Sequence, residues 1–178
     1  MTDEALAASA AGGDRYAFEQ LVERHRAAVY RLARAMTANH ADADDAAQET
    51  FIRIHRALGS YDPTRPFKAW MLRIARNTSL NVLRSTRPGR TVPIDEDMPE
   101  PPDPAPGPEE ALRTRQAGAS LSRALAALPE ELRTVLVLRA QDGMSYREIA
   151  GVMGCRIGTV MSRLSRARER ILKALDRC

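Results

Sequence analysis

Lysine is nearly missing from this chain of 178 residues: of its 27 Lys and Arg residues, Lys68 and Lys173 are the two lysines. Aromatic side chains are also scarce, at 4% of the sequence. Ala, Leu and Arg dominate instead, a composition that favours helix over strand. The two cysteines, Cys155 and Cys178, and the three histidines, His25, His40 and His55, do not cluster at metal-ligand spacing. That argues against a zinc site or a disulfide framework and makes a reducing cytoplasm the expected compartment. The sequence has no apolar run near the roughly 20 residues needed to span a bilayer, so membrane insertion is not expected. The opening "MTDEALAASAAGG" has neither a basic start nor a compact apolar core, which argues against a signal peptide. Also missing are a glycine-rich phosphate loop, a nucleophile elbow and any His, Cys or carboxylate set at ligand spacing. The sequence therefore points to no enzyme, no catalytic residue, no metal and no cofactor.

What is present is arginine, unevenly placed. Residues 1–87 carry 13 basic and 10 acidic side chains, residues 88–110 carry 1 and 7, and residues 111–178 carry 13 and 6. The net charges of +3, −6 and +7 sum to the +4 of the whole chain. Two basic ends around an acidic middle suggest two nucleic-acid-facing modules. Solvated faces of a basic protein are the plainer alternative. The middle, "PGRTVPIDEDMPEPPDPAPGPEE", holds eight of the eleven prolines. Proline fixes φ and removes a backbone donor, so this stretch suits neither helix nor central strand. We read residues 88–110 as a flexible Pro-rich acidic linker between small helical domains at 1–87 and 111–178. In polyproline II form its 21 residues from Pro88 to Pro108 could span about 65 Å, or about 19 base pairs.

The first domain reads as three helical segments. Asp14 is a plausible N-cap for "RYAFEQLVERHRAAVYRLARAMT", with Phe18, Leu21, Val22, Val29, Leu32 and Met36 buried. "ADADDAAQETFIRIHRAL" follows, its acidic first turn matched to the positive end of the helix dipole. After the loop "GSYDPTRP", Pro66 fits the first turn of "FKAWMLRIARNTSLNVLR". There Phe67, Trp70, Met71, Ile74 and Thr78 form the inward stripe, and Arg73, Arg76, Asn77 and Arg84 lie away from it.

Beyond the linker, "EEALRTRQAGASLSRALAAL" and "PEELRTVLVLRAQ" read as helices. In "DGMSYREIAGVMGCRIGTV", Gly143 stops one helix, and Ser145 with Glu148 forms a capping box that starts a two-turn helix. Gly154 ends that helix and Ile157 begins a basic one. Small Ala150 at the close approach and apolar Ile149, Met153 and Val160 complete a helix-turn-helix. With Ile157, Val160, Leu164 and Ile171 turned to the core, Gly158, Thr159, Met161, Ser162, Ser165 and Arg166 face a DNA groove. Arg163, Arg168 and Arg170 are left for phosphates. Met161 and Ser165 become candidate readers, through a thymine methyl or a hydroxyl hydrogen bond.

Two long stretches resemble the ECF (extracytoplasmic function) sigma factors of bacterial RNA polymerase, within the sigma-70 superfamily. "DADDAAQETFIRIHRAL" with "YDPTRPFKAWMLRIARN" resembles region 2, and the run from "LPEELRTVLVLRAQDGMSYREIAG" through "RARERI" resembles region 4. The resemblance implies an all-α protein: a region 2 helical bundle and a region 4 helix-turn-helix joined by the linker. It implies a transcription initiation factor whose partners are core RNA polymerase, promoter DNA and an anti-sigma factor. Asp45, Gln48, Glu49 and Ile52 match positions that dock on the polymerase. Tyr61, Arg65, Lys68, Arg73, Arg76 and Asn77 fall where the family opens the −10 element and captures a base. The last helix falls where it reads the −35 element, and Met161 and Ser165 depart there from the family's usual basic and bulky residues. A free-standing helix-turn-helix regulator would explain residues 130–175 but not the first 87.

Overall fold

The structure, a computed structural model, describes residues 1–37, 39–86, 120, 121 and 123–176. The expected linker and most of the helix expected over 109–128 lie outside the described residues. Among these residues every regular element is helical. The chain begins with a helix absent from the sequence reading, α1 (Asp3–Ala11). The Thr2 hydroxyl accepts from the Ala5 amide at 3.3 Å, and Asp3 and Glu4 sit in the positive first turn. Gly13, at φ +97°, then turns the chain in a conformation that side chains with a Cβ avoid.

Asp14 opens α2 (Arg15–Thr37), accepting from the Ala17 amide at 3.1 Å and the Ser9 hydroxyl at 2.8 Å. Asn39 caps α3 (His40–Ala57) by accepting from the Asp42 amide at 2.8 Å. A 3-10 turn (Leu58–Ser60) and a loop lead to α4 (Phe67–Thr86). The first four helices pack round Leu21, Val29, Leu32, Met36, Ile54, Phe67 and Met71. Helix α1 belongs to this core through Leu6 and Ala7. Its Glu4 carboxylate accepts from the Phe67 amide at 3.3 Å, closing the start of α4.

The second domain contains α5 (Glu130–Ala140), α6 (Tyr146–Met153) and α7 (Ile157–Leu175). Both halves of the expected capping box are formed. The Ser145 hydroxyl accepts from the Glu148 amide at 3.3 Å, and Glu148 accepts from the Ser145 amide at 2.8 Å. Gly154, at φ +63°, ends α6 in the left-handed region. Val160, Leu164 and Ala167 are the buried positions of α7. Ile157, expected in this core, is 43% exposed, and Ala167 takes the inward place two turns after Val160.

The domains also pack on each other: α5 lies against α2, and α6 against α4. One apolar cluster runs through Met71, Leu72 and Ala75 to Ile149, Val152 and Met153. Helix α4 is thus buried on two faces. The Phe67, Met71 and Thr78 face was expected; the second, carrying Leu72, Ala75 and Ser79, was not. These residues follow the next helical diagonal, i, i+3, i+7, and two are small enough to read as neutral surface.

Candidate nucleic-acid and polymerase interfaces

The residues expected to engage the −10 element divide into three groups. Arg65, Arg73 and Asn77 are exposed. Arg65 forms an ion pair with Asp62 at 3.4 Å across the loop. The Asp62 carboxyl is held below its ordinary value, first by the Thr64 hydroxyl at 2.7 Å and then by the Thr64 amide. This loop keeps its shape through its own polar groups.

Lys68 and Arg76 are half-buried and turned towards the second domain. The Lys68 ammonium donates to the Asp142 carbonyl at 2.8 Å and lies 3.9 Å from its carboxylate. Arg76 sits in the field of Glu130, whose carboxyl burial pushes up while Arg76 and Arg133 pull it down. The Arg133 guanidinium donates to the Ala35 carbonyl at the end of α2. Arg76, expected to point away from the core, instead faces this seam.

Tyr61, expected as a base-stacking surface, is 9% exposed. Its ring meets Phe67 edge-on at 5.4 Å and Trp70 at 5.0 Å, and its hydroxyl donates to the Arg65 carbonyl. Burial raises its hydroxyl above the ordinary value. In this arrangement Tyr61 is a packing residue that fixes the loop. Trp70 is half-buried in the same aromatic group, 5.6 Å from Phe67.

On α3, Asp45 and Gln48 are exposed and Ile52 is 46% exposed, a large apolar side chain left open on the polar face of the helix. Glu49 is held by the Arg53 guanidinium at 2.7 Å. Next to Ile52 a shallow groove between α2 and α3 is lined by Phe18, Val22, Phe51 and His55. Phe18 reads as a core position in the sequence, and Phe51 lies on the apolar face of its helix. Both are half-buried and wall this groove, a distinction that helical periodicity does not make.

On α7, Gly158, Met161, Ser162, Ser165, Arg166, Arg168 and Arg170 are exposed, and Thr159 is half-exposed. Met161 shows 54% of its surface, and the Ser162 hydroxyl folds back on the Thr159 carbonyl at 3.0 Å. Arg163, expected to hold a phosphate, is turned inward with 18% of its side chain exposed. It donates to Glu131 at 2.6 Å and reaches the Cys155 sulfur at 3.8 Å, tying α7 to α5 and to the turn. Position on the helix explains this: residue 163 lies one turn beyond Thr159 and before Ala167, on the flank of the buried stripe. Among the described residues no group of three or more His, Cys, Asp or Glu is placed to hold a metal.

The described residues form two helical domains, with an open apolar patch on α3, exposed basic residues on α4 and a helix-turn-helix whose first helix is capped. Residues 21–88 match the family Sigma-70 region 2, and residues 119–171 match Sigma-70, region 4. The RNA polymerase sigma-H factor of Pseudomonas aeruginosa is 38% identical over 98% of this chain and 94% of its own length. The sigma factor CnrH of Cupriavidus metallidurans is 36% identical over 98% and 94%. The ECF sigma factor SigE of Mycolicibacterium smegmatis is 38% identical over 86% of this chain, and the match spans 60% of that longer protein. A solved structure of CnrH in complex with the cytosolic domain of CnrY has a TM-score of 0.72 and 35% identity, covering 98% of this chain and 97% of that one. The chain belongs to the ECF sigma factors of the sigma-70 family.

Proposed function

We propose that the chain binds core RNA polymerase through α3, directs it to promoters through two DNA surfaces, and has no catalytic activity of its own. Asp45, Gln48 and Glu49 give the polymerase surface its charge, and Ile52 with the Phe18–Phe51–His55 groove gives it an apolar anchor. A few such desolvated anchors dominate protein interfaces. Arg65, Arg73 and Asn77, with Lys68 and Arg76 once these are free, engage the −10 element. Extruding a base costs a few kcal/mol, and cationic and aromatic side chains can return about 1–3 kcal/mol per stacked base. The exposed face of α7 reads the −35 element, with Met161 and Ser165 at base edges and Arg166 and Arg168 at phosphates. The site of action is the cytoplasm.

The observation that carries this reading is the exposure on one chain of both Arg73 with Asn77 on α4 and the Gly158–Ser165 face on α7, each in a domain that matches a sigma-70 region. CnrH was solved with the cytosolic domain of CnrY, and an anti-sigma partner for this chain is part of the proposal. Run-off transcription from pooled genomic fragments, with core polymerase of the source organism, tests it. Transcripts that require the chain, with start sites defining shared −10 and −35 sequences, are expected. Tight binding of the chain alone to duplex DNA, with no new transcripts, would replace it with a free-standing regulator.

A further inference from the structure

One ion-paired contact between the domains is built on a buried carboxylate. Asp142 sits in the turn between α5 and α6, and its side chain is 0% exposed. One carboxylate oxygen lies 2.6 Å from the Arg31 guanidinium on α2 and 3.9 Å from the Lys68 ammonium on α4. Lys68 also donates to the Asp142 backbone carbonyl at 2.8 Å. The turn is held rigidly: the Asp142 amide donates to the Val137 carbonyl at 3.2 Å, the Met144 amide to the Leu138 carbonyl at 3.0 Å, and Gly143 takes φ +66°. An acidic oxygen is thus presented to a two-cation notch by a preformed turn.

The notch is incompletely satisfied. The second Asp142 oxygen and the Arg31 Nε are both buried and lack a hydrogen-bond partner among the described residues. A buried carboxylate with one oxygen unmet is held by its charge partners more than by its hydrogen bonds. Two cations from different helices converging on one oxyanion also form the arrangement that takes a phosphodiester oxygen. A phosphodiester, like the Asp142 carboxylate, carries one negative charge over two acceptor oxygens, so it can take the place of that carboxylate and reach the Arg31 Nε that Asp142 leaves unpaired.

We propose that Arg31 and Lys68 form a phosphate-binding notch for a DNA strand, and that Asp142 occupies it as an intramolecular competitor, latching the domains closed. The proposal rests on the sigma-factor reading for its DNA ligand, but its geometry is independent of promoter sequence. In the closed state Lys68 is spent on Asp142 and Arg76 faces Glu130, so two cations of the −10 surface are withheld while Arg73 and Asn77 stay open. Opening releases Lys68 and exposes Arg31, a residue on α2 that the sequence pattern assigns to no site. Apparent affinity for the strand falls by the fraction of open molecules.

The test uses the full chain, small-angle scattering for compaction, and fluorescence anisotropy with a fluorescein-labelled single-stranded 30-mer of random sequence. Asp142→Asn keeps the shape of the turn and removes the charge. It is expected to expand the chain and tighten oligonucleotide binding by up to about 100-fold, the order by which removing one partner shifts a buried pair. Asp176→Asn makes the same charge change on an exposed side chain and is expected to do neither. Arg31→Glu also opens the chain, but is expected to weaken binding more than Arg26→Glu, its exposed equivalent on α2. The pair Arg31→Glu with Asp142→Arg restores the compact form without restoring affinity. The latch is overturned if Asp142→Asn neither expands the chain nor tightens binding beyond the Asp176 control. The phosphate notch is overturned if Arg31→Glu tightens binding as Asp142→Asn does. Failure of run-off transcription alone would remove the promoter and leave these outcomes to decide the latch.

Discussion

The capping box at the start of α6 makes the helix-turn-helix vulnerable to a single hydroxyl. Helix α6 has eight residues, too few to hold its own backbone without tertiary packing and caps. In Ser145→Ala the Glu148 amide loses its acceptor at 3.3 Å, and the Glu148 carboxylate loses the Ser145 hydroxyl at 2.7 Å. The carboxylate still accepts from the residue 145 amide, a 2.8 Å bond that the substitution leaves in place. One orphan donor, not two, is therefore created, and the expected loss is about 1 kcal/mol. For a domain of this size that is a fall in Tm of about 4–8 °C.

The same network fixes the acid behaviour. The Ser145 hydroxyl, then the Ser145 amide, hold the Glu148 carboxyl below its ordinary 4.5. A depressed folded value contributes stability that is present above 4.5 and lost as pH falls through the folded value. Removing the hydroxyl removes the largest cause, so Ser145→Ala should differ most from the parent at neutral pH and least at pH about 3. Urea unfolding followed by circular dichroism at both pH values, with Glu148→Ala as the second arm of a double-mutant cycle, reads this out. Two additive, uncoupled losses, or a Ser145→Ala loss below about 0.3 kcal/mol, would refute the capping argument.

Met161→Arg should change base preference at one −35 position, because a bidentate Arg to guanine is worth about 1–3 kcal/mol; transcription from a randomised −35 library checks it, with polymerase binding unchanged. Ile52→Asp should weaken binding to core polymerase by tenfold or more, as expected for truncating an apolar anchor at an interface, with DNA binding by the free chain unchanged; a pull-down and an anisotropy titration separate the two. Leu164→Ala empties a position 3% exposed in α7 and should cost about 2–5 kcal/mol in urea unfolding. Asp3→Asn takes the charge from a carboxylate 2.7 Å from His25 and 3.1 Å from Arg24, and should free α1 from α2, seen as faster amide exchange in residues 3–11.

The readable parts of the sequence were those where one residue type has one physical use. A serine three residues before a glutamate at the start of an apolar run has few roles but a capping box, and a glycine two turns later has few but a left-handed stop. Both were legible at Ser145, Glu148 and Gly154. Helix α1 was not, because five of the nine residues of "DEALAASAA" are alanine, which leaves little contrast between faces. Its signal was local: Thr2 before two acids. Tyr61, Arg76 and Arg163 were misplaced for a related reason. Arg and Tyr are long and amphipathic, so the same residue can lie on a surface or reach across a seam, and periodicity fixes the Cα but not the tip.

The second buried face of α4 is the largest feature that one-helix reasoning could not reach. Leu72, Ala75 and Ser79 would read as exposed in an isolated region 2 bundle, and their burial depends on a domain more than 40 residues away in the chain. Small residues there allow α6 to approach closely, so the face suits a packed partner. It borders Lys68 and Arg76, which suits a nucleic acid equally well. A helix whose apolar stripe serves one state and whose flanking cations serve another has to leave its first partner before it can meet the second. Under the proposed latch, the strength of that seam sets the fraction of chains open to a DNA strand, so substitutions at Leu72 or Val152 should tighten oligonucleotide binding without touching a DNA contact.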